Sequence, residues 1–162
     1  MANEFAKANL SDILEDFAGQ MRTITGLQRQ RAVLTASATV RKRVTVTVNA
    51  DGTVIEVKFS SDIADLDYPE IAAAVAEAAQ QAAAEVARKG RELMAPVSQN
   101  RNRLPKFSDL VPGMPDLSRE LAIPEPPVVS TAPPKAPERL AAQAELDADA
   151  PRRTGGATDS GW

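Results

Sequence analysis

Apolar residues recur every three or four positions between residues 11 and 34, which is the period of an amphipathic helix. Ser11 can cap the first turn, and the acidic residues after it suit the positive end of the helix dipole. In a heptad frame that starts at Leu10, six of the eight a and d positions are apolar. The pattern therefore predicts a long helix over 11–34 whose apolar stripe packs on a partner helix.

Apolar and polar residues alternate on either side of Asp51-Gly52 in the segment 44–59, which predicts a β-hairpin with Asp51-Gly52 as a two-residue type I′ turn. That turn fixes the register, because a slip of one residue would move the apolar set to the other face. A further strand is predicted over 36–43. The predicted cross-strand pairs are Val48 with Ile55, Val46 with Val57, and Val44 with Phe59.

A second helix is predicted to start after Asp67, which can cap it, with Pro69 in the first turn and Glu70 completing a capping box. The helix runs through an Ala-rich stretch to about Met94, and Pro96 is expected to stop it. Its apolar stripe is Ile71, Val75, Ala78, Ala82, Val86 and Leu93.

The composition changes near residue 96, because eleven of the twelve prolines lie between Pro96 and Pro151. We therefore predict a folded domain over 1–96 and a Pro/Ala-rich, largely disordered tail over 97–162, since the tail has too little apolar surface to offset the entropy of ordering. Two stretches of the tail, 116–121 and 138–146, also have the composition of short helices. A solvated linker is the favoured alternative there.

These elements predict an α+β fold with an α-β-β-β-α core of two long helices and a small antiparallel sheet. Helices of about 35 Å are longer than such a sheet, so their apolar stripes overhang it. A second copy of the chain would cover them, and a homodimer is the expected state.

The chain has no Cys and no His, which excludes disulfides, thiolate zinc sites and Ser-His-Asp chemistry. It also lacks a Gly-rich phosphate loop and a metal-binding run of acids. We predict a cytoplasmic protein that is not an enzyme, with no cofactor, no metal site and no membrane partner.

Cations that contact phosphate are the main source of affinity for DNA. The formal charge of −3 argues mildly against such binding, but local clusters decide it. The predicted DNA-binding residues are Arg29 and Arg31 near the end of the first helix, Arg41, Lys42 and Arg43 before the hairpin, and Arg88, Lys89 and Arg91 near the end of the second helix. A further group of cations, Arg101, Arg103 and Lys106, follows the predicted core and could form a flexible arm.

Each cluster also has a purely structural explanation. Cations in the last turn of a helix are favoured by its dipole. Cations on an edge strand prevent aggregation, and Arg31 can snorkel from an a position. No aromatic platform accompanies the cations, so phosphate contact is the expected mode of binding.

The order of elements resembles the YbaB/EbfC family over about residues 8–96. The resemblance rests on the heptad-patterned first helix, the segment VTVTVNADGTVIEVKFSSDI, and the Ala-rich second helix. The Pro-Gly stretch at 110–114 is similar to the end of many members. Residues 39–43 replace a Gly-rich link of the family, and the tail is longer. The resemblance implies a homodimer with protruding helices, a nucleoid-associated role and binding to duplex DNA.

An alternative is a non-enzymatic interaction or chaperone-like dimer whose Pro-rich tail binds a protein partner. The acidic balance, the Ala-rich helix and the tail suit it. From the residues alone the two functions are nearly equal, and the family resemblance favours DNA binding.

Overall fold

A computed structural model describes residues 2–101 and 125–149 of the chain. The predicted α+β class and the α-β-β-β-α order are confirmed, and a third helix follows. No helix within the described ranges is both long and apolar enough to span a membrane. The elements are α1 (Ala2–Ala32), β1 (Thr35–Val40), β2 (Val44–Asn49), β3 (Val54–Phe59), α2 (Tyr68–Arg101) and α3 (Pro137–Asp149).

The three strands form one antiparallel sheet in the order β1-β2-β3. Two of the predicted pairs, Val44 with Phe59 and Val46 with Val57, are confirmed. The third is wrong, because Val48 pairs with Val54 and a bulge displaces the register after Thr47. The alternation of residues set the register of most of the hairpin, but not of its last pair.

Residues 50–53 connect β2 to β3, and a backbone hydrogen bond between Asn49 and Thr53 closes a loop of three residues, 50–52, where a two-residue turn was predicted. The Thr53 carbonyl accepts from the Asn49 amide, and the Gly52 amide donates to the Asn49 carbonyl. The Asn49 side-chain oxygen accepts from the amides of Asp51 and Thr53, which holds the wider loop. Within this loop Gly52 alone has a positive φ, of 80°, whereas a type I′ turn needs two.

The β1–β2 connection has the type I′ signature instead. The predicted strand over 36–43 ends at Val40, and Arg41 and Lys42 have φ angles of 52° and 57°. The Arg43 amide donates to the Val40 carbonyl at 3.1 Å and closes the turn. The cations Arg41, Lys42 and Arg43 therefore occupy a tight turn and do not alternate along a strand.

The core lies between α2 and one face of the sheet. Val44, Val46 and Val48 of the central strand are 0% exposed. The facing row of α2 consists mainly of alanines, Ala74, Ala78 and Ala82, which allow the helix to lie close to the sheet. Val86 extends this row, while Ile71 and Val75, which were predicted to lie in the stripe, are half-buried.

Both long helices extend beyond one predicted end, whereas α1 stops at Ala32, two residues before its predicted end at 34. α1 starts at Ala2 because residues 2–10 contain no Gly or Pro and Glu4 suits the first turn, so Ser11 lies inside the helix instead of capping it. α2 continues through Pro96 to Arg101. Pro96 is exposed and removes only the hydrogen bond to the residue 92 carbonyl, which an α-helix can tolerate with a bend.

α1 extends far beyond the sheet. Its 31 residues span about 46 Å, whereas six-residue strands span about 20 Å. The described side chains between residues 4 and 16 are all exposed, and those between 24 and 28 are half-buried. The predicted overhang of the first helix is therefore present.

The C-terminal segment 125–149 folds back toward the end of β2. The Asn49 side-chain amide donates to the Ser130 carbonyl at 3.1 Å. Residues 138–146, for which a solvated linker was favoured, lie inside α3, so that interpretation is wrong there. The stretches 116–121 and 110–114 lie outside the described residues.

Candidate nucleic-acid interface

The eight predicted DNA-binding residues lie at two opposite ends of β1. The turn after β1 carries Arg41, Lys42 and Arg43, which we call the turn cluster. At the start of β1 the Lys89 ammonium donates to the Thr35 carbonyl at 3.3 Å, so α2 passes this end. The six residues of β1 separate the two ends by about 20 Å. The helix-end cluster consists of Arg29, Arg31, Arg88, Lys89 and Arg91.

Arg41 joins the turn cluster to α2. Its Nη1 donates to Glu70 Oε1 at 3.0 Å, and 49% of the Arg41 side chain stays exposed. Arg41 uses one of its five N–H donors in this contact, so the guanidinium keeps donors for another acceptor.

Lys42 is the exposed tip of the turn. Among the residues that the structure describes, its ammonium forms no ion pair within 4 Å of a carboxylate. Lys42 and the free edge of Arg41 therefore present two adjacent cations to solvent.

Arg43 points in the other direction and binds the protein itself. Its Nε donates to Asp62 Oδ2 at 3.0 Å and to the Asp62 carbonyl at 3.1 Å. Its Nη2 donates to Asp65 Oδ2 at 2.9 Å, and only 27% of the side chain is exposed. Arg43 thus holds the short 3-10 turn, Ile63–Asp65, against the sheet, and its low exposure and its two carboxylate partners make it a poor phosphate ligand.

Two acidic groups beside the turn cluster are held in their charged form. The Glu70 carboxylate accepts hydrogen bonds from the Asp67 amide and from the Arg41 guanidinium, and these two bonds lower the pKa of Glu70. The Ser60 hydroxyl and the Asp62 amide lower the pKa of Asp62, with a smaller effect of Arg43. Each cation of this cluster that binds an acid therefore meets a full negative charge at neutral pH.

The capping box predicted at the start of α2 is confirmed. The Glu70 amide donates to Asp67 Oδ1 at 2.8 Å, and the Asp67 amide donates to Glu70 Oε2 at 3.1 Å. Glu70 therefore caps the helix with one oxygen and binds Arg41 with the other.

Exposed aromatic side chains lie at the same end as the turn cluster. Phe59 pairs with Val44 next to Arg43, and Tyr68, at the start of α2, is 89% exposed. The sequence offered no aromatic platform near the cations because these residues are 16 or more positions away along the chain.

The α1 side of the helix-end cluster is paired with acids that are distant in sequence. Arg31 Nη2 binds Asp51 Oδ1 at 3.2 Å, across the β2–β3 loop. Arg29 Nη1 lies 4.0 Å from Asp149 Oδ2, at the end of α3, while 60% of the Arg29 side chain is exposed. Both guanidinium groups remain accessible from solvent.

The α2 side of this cluster divides into bound and accessible cations. Arg88 lies between Glu85 and Glu92, and these contacts raise its pKa above the ordinary value and lower that of Glu85. Arg91 is exposed and, within the described ranges, belongs to no ion pair. Arg101 ends α2, and Arg103 and Lys106 lie outside the described residues.

The sequence identified the cations but missed their acidic partners. The acids lie 19 or more positions from the cations that they bind; they are Asp51, Asp62, Asp65, Glu70 and Asp149. Only the Arg88 contacts, at spacings of three and four in one helix, follow from a sequence rule.

A comparison with models of known protein families gave a match over most of the folded core. A model of the YbaB/EbfC DNA-binding family matches residues 6–101, which include α1 from its second turn, the sheet and all of α2. The matched segment ends before α3. Searches of curated proteins and of solved structures found no significant match.

Proposed function

The chain belongs to the YbaB/EbfC DNA-binding family, and on that basis we propose that it binds duplex DNA in the nucleoid as a homodimer, mainly through phosphate contacts. The family supports DNA as the partner, while the contacts and the dimer are inferred from the described residues.

The observation that carries the proposal is the backbone of the turn cluster. Arg41 and Lys42 have left-handed φ angles at the tip of a hairpin, where an L-residue costs about 1 kcal/mol or more. Asn-Gly would satisfy the same turn more easily. The fold gains only the exposed Arg41–Glu70 pair from these cations, and Lys42 adds no ion pair among the described residues, so their presence favours a role in binding an anion.

The geometry favours contact with the DNA backbone. Lys42 is a point charge on a flexible stem, and Arg41 offers a planar set of donors beside it. Two cations at the tip of a hairpin suit contact with adjacent phosphates. A hairpin tip is not the short recognition helix with which many proteins read bases. We expect modest sequence preference and strong dependence on salt.

The homodimer is inferred from the uncovered face of α1. Leu10, Ile13 and Leu14 are 49%, 46% and 55% exposed, although they follow a helical stripe. Phe5, five residues before Leu10 in the same helix, is also exposed. An apolar stripe on a helix that extends past its own sheet is a contact surface, and a second α1 supplies the matching stripe.

The test is fluorescence anisotropy of a labelled 30-base-pair duplex at several salt concentrations. Wild type should bind, and a plot of log K against log salt should fall with a slope of about −0.9 for each phosphate contact. The double variant R41N/K42G removes both cations and places residues that favour left-handed φ angles in the turn, so the variant should stay as stable as wild type. It should bind DNA more weakly, and its slope of log K against log salt should be shallower by about 1.8 per chain.

The control variant, K7Q/R22Q, removes two positive charges from α1 and should bind like wild type. If R41N/K42G also binds like wild type, the turn cluster is not the contact. If wild type shows no binding at about 50 mM salt, DNA binding itself is refuted, since nonspecific affinity is greatest at low salt.

A protein partner for the tail is a second candidate, supported by apolar side chains on the C-terminal segment. Val128 is 96% exposed and Leu140 is 56% exposed. A pull-down with wild type and with V128S/L140S would test it after nuclease treatment. A partner captured by wild type and lost with the variant supports it, and companions that nuclease removes contradict it.

A further inference from the structure

The C-terminal segment 125–149 carries excess negative charge and lies beside the helix-end cluster. It contains five acids and two bases, which gives a net charge of −3. Three of the acids, Glu145, Asp147 and Asp149, fall in the last five residues of α3. The family match ends at residue 101, so this segment is an addition to the part shared with the family.

Two contacts hold the segment in place. At one end the Ser130 carbonyl accepts from the Asn49 side chain at 3.1 Å. At the other, Asp149 lies 4.0 Å from Arg29. Between them, Arg29 and Val33 of the α1 end face Arg139 and Leu146 of the segment across a cavity of about 660 Å³.

Arg139 gives the segment its shape. Its side chain is 6% exposed, and it donates to the carbonyls of Ser130 and Ala132 at 2.7 Å and 3.2 Å. These bonds tie the first turn of α3 to the irregular segment before it. As a result, the acidic end of α3 is directed to Arg29 rather than away from the core.

The segment is suited to reversible association. The Arg29–Asp149 contact is long and exposed, and such pairs are weak and screened by salt. The cavity shows that α3 is not closely packed against the end of α1. A polyanion that approaches Arg29 therefore competes with carboxylates that are loosely held.

We propose that segment 125–149 is an acidic cover that competes with DNA phosphate for Arg29 and lowers the affinity of the whole chain for duplex DNA. This inference rests on the proposed function and adds an intrachain regulator to it. Arg29 remains largely exposed, so the cover acts mainly by charge.

The experiment uses the full chain and duplex anisotropy. The variant E138Q/E145Q/D147N/D149N removes the four negative charges of α3 while keeping side-chain size. It should bind about eightfold more tightly at 0.1 M salt, with a slope steeper by about 0.9, which is the effect of one added phosphate contact. Adding R29Q to this variant should remove the gain.

A matched control, E4Q/D12N/E15Q/D16N, makes the same change in net charge on the free part of α1. Asp16 is thirteen residues from Arg29, or about 20 Å along the helix, which exceeds the Debye length of about 8 Å at physiological salt. The control should therefore change affinity much less than the α3 variant.

The outcomes separate this inference from the proposed function. Tighter binding by the α3 variant, but not by the α1 control, supports the cover. Equal binding by wild type and the α3 variant overturns the cover and leaves DNA binding intact. Equal gains with the α3 variant and the α1 control also overturn it, since net charge would then be the cause. Failure of every variant to bind overturns both.

Discussion

Arg41 Nη1 and Glu70 Oε1 are 3.0 Å apart, and this pair connects the tip of the β1–β2 hairpin to the first turn of α2. The other Glu70 oxygen accepts from the Asp67 amide and caps the helix. One carboxylate therefore has two functions. It fixes the start of α2 and draws one cation of the turn cluster away from solvent.

Glu70→Gln should separate these two functions. Gln still accepts from the Asp67 amide in a capping box, but it no longer holds Arg41 by charge. We expect affinity for duplex DNA at 0.1 M salt to rise about three- to eightfold, where the upper value is one full phosphate contact. Anisotropy measures it, with Glu77→Gln as the control on the same helix; equal gains would assign the effect to net charge.

Arg43→Ala should reduce stability rather than DNA binding. The variant removes three hydrogen bonds that hold the turn after β3 to the sheet. The midpoint of urea unfolding should fall by about 0.5 M or more, whereas Lys42→Ala should leave it nearly unchanged. If Arg43→Ala lowers the affinity for DNA while the urea midpoint stays unchanged, then Arg43 does contact DNA.

Stability should fall in acid as the lowered carboxyl groups take up protons. The Asp67 amide and Arg41 lower the pKa of Glu70 in the folded state below its ordinary 4.5, and Ser60 lowers that of Asp62. The unfolded chain then binds more protons than the folded chain, so the stabilisation is complete above about pH 4.5 and is lost as pH falls through the folded values. Urea midpoints at several pH values between 7 and 3 measure this loss, and the double variant D62N/E70Q should show a shallower decline.

Ala82→Leu should destabilise the fold by about 2 kcal/mol or more, because Ala82 is 0% exposed in the row that faces the sheet and extra carbons must displace β2 or α2. Ala84→Leu, at an exposed position of the same helix, should have little effect. Chemical unfolding compares the two. Similar stability for both variants would contradict the close packing of α2 on the sheet.

Leu14→Glu should weaken self-association. Leu14 lies in the exposed stripe of α1, where a buried carboxylate at a helix–helix contact would be unfavourable. Sedimentation velocity should show a shift from dimer toward monomer, and Ser11→Glu, on an exposed polar position, should not. A monomeric wild-type protein would remove the basis of the proposed dimer.

The sequence predicted the elements well where a periodic pattern was strong. The pairing of Val44 with Phe59 followed from alternation, because a slip of one residue would set the charged Glu56 and Lys58 opposite the buried valines of β2. The capping box at Asp67 and Glu70 followed from spacing alone. These features are local, so nearby residues are sufficient to specify them.

The two turns were misjudged because side chains and tertiary contacts decided them. Asn49 accepts two backbone amides and widens the loop that Asp51-Gly52 alone would have closed as a two-residue turn. Arg41 and Lys42 adopt left-handed angles that Arg and Lys do not signal in a sequence. The tight turn is therefore imposed by the pairing of β1 with β2.

The candidate site was only partly predictable for a similar reason. A run of cations is visible in the sequence, but its availability depends on acids brought near by folding. Asp62 and Asp65 accept hydrogen bonds from Arg43, and Glu70 accepts one from Arg41. These partners lie 19 to 29 residues apart along the chain. Which cation remains accessible is a property of the fold.

The alanine row of α2 has a thermodynamic consequence. A helix that contributes methyl groups to the core exposes little apolar area when the chain unfolds, and apolar exposure is the main source of the heat-capacity change of unfolding. A small heat-capacity change flattens the curve of free energy against temperature. The folded chain should therefore show nearly constant stability over a broad range of temperature, and cold should weaken it less than it weakens proteins with large aliphatic cores.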